Sequence, residues 1–228
     1  MYISIIRLTG VVSCLFLLFA VGLPVGLLAD GQAKKNAVPA QLEVAALVEY
    51  EHLDPARKKV IDLALKIGRE RRLAKYIFGS ADPDKGGFDC SGAMFYLLQQ
   101  LGMKLARSSA SQFEWVKAAG LLVAVPATVQ STEDKVFAKL QPGDLLFWAH
   151  TYQAKDGRTN GISHVQMYLG KEKVGGRRVM IGSTDGRSYH GNRQTGYGVF
   201  DFKLPRKGAK AKFVGFGPPP GLLKTSKP

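Results

Sequence analysis

Cysteine is scarce in this 228-residue chain, which holds only Cys14 and Cys90. Cys14 lies in an apolar N-terminal segment that we expect to be removed, so the mature chain keeps Cys90 alone. A single cysteine can form neither an intrachain disulfide nor a thiolate cage for zinc. A lone thiol in an exported protein is either a liability or a working nucleophile, which makes Cys90 the first candidate for catalysis.

Metal-binding and phosphate-binding patterns are missing as well. The four histidines include no pair at the helical spacing that metal ligands use, so metal-dependent hydrolysis is disfavoured and no cofactor or metal is expected. They are His52, His150, His164 and His190. The sequence contains no Gly-Lys-Ser/Thr loop that could cradle a phosphate.

Acidic residues are few, since 18 Asp and Glu face 32 Lys and Arg for a formal net charge of +14. Such a charge implies an anionic partner or surface, and nucleic acid, acidic lipid and an anionic cell-wall polymer all fit it. The sequence has no helix-turn-helix, RNA-platform or zinc-finger signature. No nucleic-acid partner is therefore expected.

Residues 1–29 are predicted to be a secretory signal peptide. Arg7 precedes an apolar stretch over residues 8–28, and Ala29 offers a cleavage site before the polar residues that follow. The small-residue rule for cleavage is only half met, because Leu27 occupies the position two before Ala29. The apolar stretch is also long enough to span a bilayer, so an uncleaved membrane anchor is the alternative. Cleavage would remove one positive charge and leave a mature charge of +13.

The remaining chain is predicted to form an α+β fold, because helical patterns come first and short strands follow. We expect a lead segment over residues 30–53, a domain over residues 54–217 and a flexible tail over residues 218–228. Helices are predicted from Asp54-Pro55 to Gly68, after Cys90, and over residues 111–119. Strands are predicted over residues 145–148, 164–169, 178–181, 197–204 and 212–216.

Cys90 lies where a polar turn becomes an apolar helix. Asp89 is a good N-cap, so Cys90 falls in the first helical turn, where free N–H groups and the helix dipole favour an anion. This context predicts a thiolate with a depressed pKa. The alternative is an inert, buried cysteine.

His164 is the candidate base. The segment that follows it alternates, with Val165, Met167 and Leu169 on the predicted core face and His164 on the opposite face, toward a helix-side cleft. Cysteine and histidine are the minimal pair for nucleophilic catalysis by a thiol.

Several segments occur in an order that resembles the NlpC/P60 family of cell-wall cysteine peptidases, which have a reduced papain-like fold. They are the residues 88–92 (Phe-Asp-Cys-Ser-Gly), 140–147 (Leu-Gln-Pro-Gly-Asp-Leu-Leu-Phe) and 162–170 (Ile-Ser-His-Val-Gln-Met-Tyr-Leu-Gly). Residues 76–80 and 107–109 resemble two further family segments, with Ser80 where a glycine and Ala106 where a proline is usual. The resemblance runs from about Asp54 to Leu204.

This resemblance implies N-terminal helices packed on an antiparallel sheet and an enzyme that cleaves amide bonds in peptidoglycan stem peptides, often between D-glutamate and a diamino acid. Cys90 would be the nucleophile and His164 the general base, while Tyr76, Asp89, Ser91 and Arg107 fall where the family lines its substrate groove. The implied partner is peptidoglycan or its peptide fragments. The implied location is outside the cell membrane, in the periplasm, the wall or the medium, with membrane contact only through an uncleaved N-terminal segment.

The third residue of the site is left open. The family usually has a polar residue that orients the histidine, on the next strand after an apolar pair, and here that position is Gly182. A backbone carbonyl or one of four nearby side chains could take its place: Ser183, Thr184, Asp185 or His190. The count along the hairpin slightly favours residues 183–185.

Two other functions remain compatible with the sequence. One is a thiol acyl transferase or amidase that uses the same Cys90 and His164 on another amide. The other is a non-catalytic cell-wall-binding module with a degenerate site, which Gly182 favours and the presence of both Cys90 and His164 disfavours.

Overall fold

The computed structural model describes residues 38–223. The predicted signal peptide lies outside these residues, and none of the helices within them is both long enough and apolar enough to cross a bilayer. The α-helices are α1 (Pro55–Glu70), α2 (Cys90–Gln99) and α3 (Ser109–Ala118). The strands are β1 (Lys75–Tyr76), β2 (Ala81–Asp82), β3 (Gly87–Phe88), β4 (Val123–Ala124), β5 (Leu145–Ala149), β6 (Ile162–Lys171), β7 (Arg178–Tyr189), β8 (Asn192–Asp201) and β9 (Lys212–Gly217).

Six strands form one antiparallel sheet in the order β4-β9-β5-β6-β7-β8. A second, small sheet has the order β1-β3-β2 and leads the chain into α2. Helices precede the long strands and pack on one face of the sheet. The predicted α+β fold, with N-terminal helices on an antiparallel sheet, is therefore confirmed.

The large sheet has an apolar core on each face. The α1 and α2 side buries Ile61, Met94 and Val165 in one cluster, whereas Trp148 and Phe200 belong to an aromatic cluster on the other face. Within β6, Val165, Met167 and Leu169 pack under the helices, whereas Tyr168 belongs to the aromatic cluster and the His164 ring lies 5.5 Å from the Trp148 ring of that cluster. The side of β6 that carries His164 is thus not the helix side, which corrects the orientation expected from the sequence.

The predicted helix starts follow from their capping residues. Asp54 accepts a hydrogen bond from the Arg57 N–H at 2.9 Å, and Pro55 occupies the first helical position. The predicted end of α1 at Gly68 is wrong by two residues, since the helix runs to Glu70. Gly68 has a packing role instead, because a Cβ there would lie 2.5 Å from the Gln41 Oε1.

A buried ion pair joins α1 to the start of β5. The Arg57 Nη1 donates to Asp144 Oδ1 at 2.9 Å and to the Pro142 carbonyl at 2.6 Å, while Asp144 Oδ2 accepts from the Gln141 N–H at 3.0 Å. Both side chains of the pair are almost fully buried. The turn before β5 is thereby fixed against the helix layer.

The hairpin of β7 and β8 is much longer than predicted. Residues 184–186 do not form a turn: β7 continues to Tyr189, and its register against β8 shifts between Asp185 and Arg187. Gly186, with φ of +127°, is the extra residue of this bulge. Asp185 pairs with Thr195 and Arg187 with Gln194, so the two side chains point to opposite faces of the sheet.

Both ends of the described chain pack on the domain. In the lead segment, Leu47 is buried, and the Ala40 N–H donates to the Gln194 side chain at 2.8 Å. The lead segment contains two 3₁₀ turns, Val44–Ala46 and Tyr50–His52. In the segment predicted to be a flexible tail, Leu222 is buried in the helix-side core.

Candidate active site

Cys90 is the first residue of α2 and lies against the backbone of β6. Its Sγ is 3.9 Å from the Ser163 carbonyl oxygen, and the side chain is only 5% exposed. The ladder between β6 and β7 runs from the Met167–Ile181 pair to the Lys171–Arg178 pair. Cys90 therefore meets β6 in the stretch that precedes this ladder.

The Cys90 thiol is not predisposed to ionise, contrary to the expectation from the helix N-terminus. Burial, and then the charge of Asp89, raises its pKa to about 11, and the N–H groups of Val165 and Ser91 and the charge of Arg107 only partly oppose this. Desolvation can move a pKa by several units, whereas a helix dipole contributes about 0.3–1 kcal/mol. The predicted depressed pKa is wrong because burial outweighs the dipole.

Asp89 organises the Cys90 side of the site through both of its carboxylate oxygens. Oδ1 accepts from the Gly92 N–H at 2.6 Å and caps α2, and Oδ2 accepts from the Gly79 N–H at 2.8 Å. Arg107 donates to both oxygens, at 3.0 and 2.8 Å, and Ser91 Oγ donates to Oδ1 at 3.2 Å. Three of the predicted groove residues are thus linked to one another, with the Asp89 carboxylate occupied by protein donors.

His164 lies near the start of β6 and pairs with Trp148 on β5. The two rings have centroids 5.5 Å apart, and His164 is 7% exposed. Burial, and then the charge of Arg187, lowers the pKa of the imidazole well below its usual value. His164 is therefore neutral at neutral pH.

Two adjoining cavities bring the predicted catalytic residues together. One, of about 180 Å³, is lined by Cys90 and by all four predicted groove residues: Tyr76, Asp89, Ser91 and Arg107. The other, of about 410 Å³, is lined by His164 and Ser163 on β6 and by residues of β7. Both cavities share Tyr76 and the edge-to-face pair of Phe78 and Tyr152, whose ring centroids are 5.6 Å apart.

The four side chains that were candidates for orienting His164 differ in their contacts and in their distance from it. Ser183 is buried and donates its hydroxyl to the Phe88 carbonyl at 2.8 Å, so its hydrogen is already engaged. Thr184 and Asp185 line the His164 cavity. His190 binds Glu172 at 3.1 Å, about 26 Å along the sheet from His164 at 3.3 Å per residue, and is too distant to orient it.

Gly182 faces Gln166 rather than His164. A Cβ added at Gly182 would lie 3.3 Å from the Gln166 Cγ and 3.4 Å from the Met94 Cε. The space in which the family's usual third side chain was expected therefore adjoins the Gln166 side chain. Among residues 38–223, the ring of His164 makes no hydrogen bond.

The sequence interpretation missed four side chains that line the two cavities. Phe78, Tyr152 and Arg158 lie outside the predicted helices and strands, and Arg187 lies between two predicted strands in a stretch that proves to be strand. The aromatic and basic side chains in the polar loop of residues 149–161 were the available signal for Tyr152 and Arg158. No cluster of His, Cys, Asp or Glu within the described part of the chain could hold a metal ion.

The fold and the site thus define a domain in which a helix-borne cysteine and a strand-borne histidine line adjoining cavities. The NlpC/P60 family model matches residues 73–193, more than half of the chain. The chain belongs to the NlpC/P60 family, as the resemblance predicted, and its α+β architecture agrees with the reduced papain-like fold of that family.

Similar proteins include a γ-DL-glutamyl hydrolase of Bacillus subtilis, 35% identical over 96 residues, and the "Probable endopeptidase YafL" of Escherichia coli, 34% identical over 104 residues. These matches cover 42% and 44% of this chain but only 18% and 33% of the relatives. A solved lipoprotein-like NLP/P60 protein of Staphylococcus aureus is 22% identical, with a TM-score of 0.39 and coverage of 81% of this chain and 44% of that one. NlpC2 of Trichomonas vaginalis is 18% identical, with a TM-score of 0.41 and coverage of 75% and 49%.

Proposed function

We propose that this protein is an exported cysteine peptidase that hydrolyses amide bonds in peptidoglycan stem peptides, at a bond between D-glutamate and a diamino acid. The observation that carries the proposal is the placement of Cys90 and His164 in adjoining cavities of an NlpC/P60 domain. The names of the two relatives, a γ-DL-glutamyl hydrolase and an endopeptidase, support an amide hydrolase. The positive charge of the chain suits a carboxylate-rich wall polymer.

The reaction starts from a neutral thiol and a neutral imidazole. The raised pKa of Cys90 and the lowered pKa of His164 disfavour a preformed ion pair. His164 therefore acts as a general base that removes the thiol proton while Sγ attacks the substrate carbonyl carbon. It then delivers that proton to the leaving amine as the C–N bond breaks, and a thioester to Cys90 remains.

Water completes the cycle. His164 removes a proton from a water molecule that attacks the thioester carbonyl, and it returns that proton to Sγ as the C–S bond breaks and the carboxylic acid leaves. Asp89 accepts the N–H groups of Gly92 and Ala93, so those of Cys90 and Ser91 are the first-turn donors left to stabilise the oxyanion that forms at each attack. Tyr76, Ser91 and Arg107 line the cavity that receives the acyl portion of the substrate, with Asp89 holding Arg107 in place.

A non-catalytic wall-binding module is the second candidate. The high pKa of Cys90 and the absence of a hydrogen bond to the His164 ring among residues 38–223 favour it. The two functions differ in whether substrate is consumed. Binding to wall fragments without release of new amino groups would identify a module rather than an enzyme.

Digestion of purified wall fragments, with mass analysis of the products, tests the proposal. We expect the wild-type protein to release fragments with one new amine and one new carboxylate per cut, and the Cys90→Ser and His164→Gln variants to release none or few. His190→Ala should retain activity, because His190 binds Glu172 far from the cavities. Transfer of the acyl group to an amine instead of water would identify the acyl transferase, and equal losses in the His164 and His190 variants would contradict the assignment of the base.

A further inference from the structure

Arg187 brings a positive charge to the cavity that His164 lines. Its guanidinium carbon lies 4.2 Å from the centre of the Trp148 ring, a cation–π contact that holds the side chain in place. It lines the same cavity of about 410 Å³ as His164. The bulge at Gly186 turns Arg187 to the face of the sheet that carries Trp148.

No carboxylate of the described residues neutralises this guanidinium. No Asp or Glu oxygen in residues 38–223 lies within 4.0 Å of its nitrogens, although Asp185 lines the same cavity. Arg107 and Arg158, which line the neighbouring cavity, are by contrast each paired with an aspartate. Burial lowers the pKa of Arg187 to about 10, which reflects the cost of a desolvated charge. A partly buried cation of this kind is stabilised when a ligand supplies the missing anion.

We propose that Arg187 binds a free carboxylate on the leaving residue of the substrate. This inference rests on the proposed function, in which His164 gives its proton to the leaving amine, so the leaving residue lies on the His164 side of the scissile bond. The guanidinium on that side presents several N–H donors to the cavity and can bind a carboxylate with two parallel hydrogen bonds. The substrate class is thus a peptide whose leaving residue carries an unmodified carboxylate.

A competing role for Arg187 is stabilisation of the Cys90 thiolate, since its charge interacts with that of Cys90. The two roles predict different selectivity. A thiolate partner would affect every substrate equally, whereas a carboxylate partner would affect only substrates that carry the carboxylate.

The test uses two stem peptides that differ only at the leaving residue, which carries either a carboxylate or the corresponding carboxamide. We expect wild-type kcat/KM to be about 10- to 100-fold higher for the carboxylate, the size of a hydrogen bond to a charged group. Arg187→Met should remove that preference, while any change that it causes through the pKa of His164 should affect the two substrates equally. Arg206→Gln, an exposed arginine outside both cavities, should behave as wild type.

Binding measurements keep this proposal separate from the proposed function. Calorimetry with the Cys90→Ser variant should show tighter binding of the carboxylate peptide than of the carboxamide, and the added Arg187→Met substitution should abolish the difference. Failure of the wild type to cleave either peptide would overturn the function but not the subsite. Equal binding of the two peptides, or equal loss of both reactions in Arg187→Met, would overturn the subsite.

A separate observation concerns polar atoms without partners on the other face of β5 and β6. Four such buried atoms belong to three neighbouring side chains: Trp148 Nε1, His164 Nε2, and Gln166 Oε1 and Nε2, none of which has a hydrogen-bond partner among residues 38–223. Trp148 pairs with His164 across the strands, and His164 and Gln166 are two residues apart on one face of β6. Their Cα atoms are thus about 6.6 Å apart, within reach of a glutamine side chain.

The chemistry of these groups leaves one suitable acceptor. Indole and guanidinium groups are hydrogen-bond donors only, so neither Trp148 nor Arg187 can accept a hydrogen bond from the imidazole N–H. The amide oxygen of Gln166 can accept one. The absence of a side chain at Gly182 provides the room that Gln166 occupies, since a Cβ there would lie 3.3 Å from its Cγ.

We propose that Gln166 is the positioning residue of His164. Among residues 38–223, neither the Gln166 Oε1 nor the His164 Nε2 has a hydrogen-bond partner as the side chains stand. In the proposed arrangement the Gln166 amide turns so that its Oε1 accepts a hydrogen bond from the His164 Nε2–H, which fixes the tautomer and leaves Nδ1 free to act as the base. The glutamine on β6 thereby replaces the polar residue that was expected at Gly182 on β7. This inference also rests on the proposed function, but the tautomer can be measured without any substrate.

The test compares Gln166→Met, which keeps the size but loses the acceptor, with Gln166→Glu, which keeps an acceptor. Nitrogen-15 spectra of the histidine side chains, assigned with the help of His164→Gln, should show the Nε2–H tautomer in wild type and Gln166→Glu and a mixture in Gln166→Met. Turnover should fall at least about tenfold in Gln166→Met with little change in KM, within the 10²–10⁴-fold contribution of a general base.

Thr184→Val provides the matched control, because Thr184 lines the same cavity as His164 and valine keeps its shape without the polar group. We expect it to leave the tautomer unchanged. An unchanged tautomer in Gln166→Met, or the same mixture in Thr184→Val, would overturn the role of Gln166. A loss of turnover that is equal in Gln166→Met and Gln166→Glu would show that Gln166 serves packing alone.

Discussion

Arg107 donates two parallel hydrogen bonds to the carboxylate of Asp89, from Nη1 to Oδ1 at 3.0 Å and from Nη2 to Oδ2 at 2.8 Å. The same carboxylate caps α2 through Gly92 and holds the loop before α2 through Gly79. One side chain thus joins the cysteine helix, the loop that lines its cavity and the arginine of the predicted groove.

Asp89→Asn should impair this junction even though asparagine is a good N-cap. Its amide can keep one oxygen toward the Gly92 N–H, but the NH₂ group then meets the N–H donors of Gly79 and Arg107. We expect a loss of about 1–3 kcal/mol in the free energy of unfolding, the cost of unsatisfied donors, together with reduced turnover. Asp54→Asn, at the simpler cap of α1, should be nearly neutral in urea unfolding, and similar losses in both variants would contradict the special role of Asp89.

Cys90 should react slowly with alkylating reagents in the free protein. Its pKa of about 11 lies two units above the ordinary value of 9.0, so the thiolate fraction at pH 7 is about 100-fold lower than in a model thiol. Iodoacetamide labelling followed by mass spectrometry from pH 7 to pH 10 should show a rate that rises throughout this range. A fast rate with a plateau near neutral pH would instead reveal a preformed thiolate.

The neutral state of His164 should make the folded protein sensitive to mild acid. The imidazole pKa is lowered in the folded state, so below about pH 6.5 the unfolded chain binds a proton that the folded chain does not. Stability should then fall as pH decreases, by up to about 1.4 kcal/mol per pH unit from this residue. Urea unfolding at pH 7, 6 and 5 should show a smaller loss in His164→Gln than in wild type, and identical losses would exclude a buried neutral His164 as the cause.

The buried pair of Arg57 and Asp144 should dominate the stability of the helix-to-sheet contact. Asp144→Ala removes the close carboxylate partner of the buried Arg57 guanidinium and leaves only Asp54, whose Oδ2 lies 3.7 Å from Nε, so we expect a loss of about 3–5 kcal/mol in urea unfolding. The double variant Arg57→Met with Asp144→Leu should recover much of that loss. Glu70→Ala, which breaks the exposed Lys66–Glu70 pair, should cost less than about 1 kcal/mol, and a comparable cost would contradict the importance of burial.

Local signals in the sequence were sufficient for the cysteine helix and for much of the sheet. Asp89 before an apolar helical run predicts both the start of α2 and the position of Cys90, because capping depends on neighbours in the chain. The alternation after His164 predicts a strand there, although not which face of the sheet carries the helices. That choice depends on how the layers pack, which no short segment encodes.

The Arg187 side of the site could not be predicted, because it depends on a bulge. Gly186 after Asp185 has the pattern of a turn, and the structure uses that glycine as an inserted residue within a strand. Regular strand alternation from Ser183 would also place Arg187 on the same face as Ser183, whereas the bulge turns it to the opposite face. The prediction of a depressed pKa for Cys90 failed for a related reason. The position of Cys90 at a helix N-terminus can be predicted from the sequence, whereas its burial arises from tertiary packing against β6.

The protonated state of Cys90 also bears on how long such a site can survive outside a reducing cytosol. Peroxides and other oxidants attack thiolates that are accessible to solvent, and they convert them through sulfenic acid to irreversible products. A thiol that is 5% exposed, and that ionises only as its base removes the proton, presents little of the reactive species between catalytic cycles. After the predicted cleavage the chain has no second cysteine that could reverse such damage, so we expect slow ionisation to protect Cys90 from oxidation.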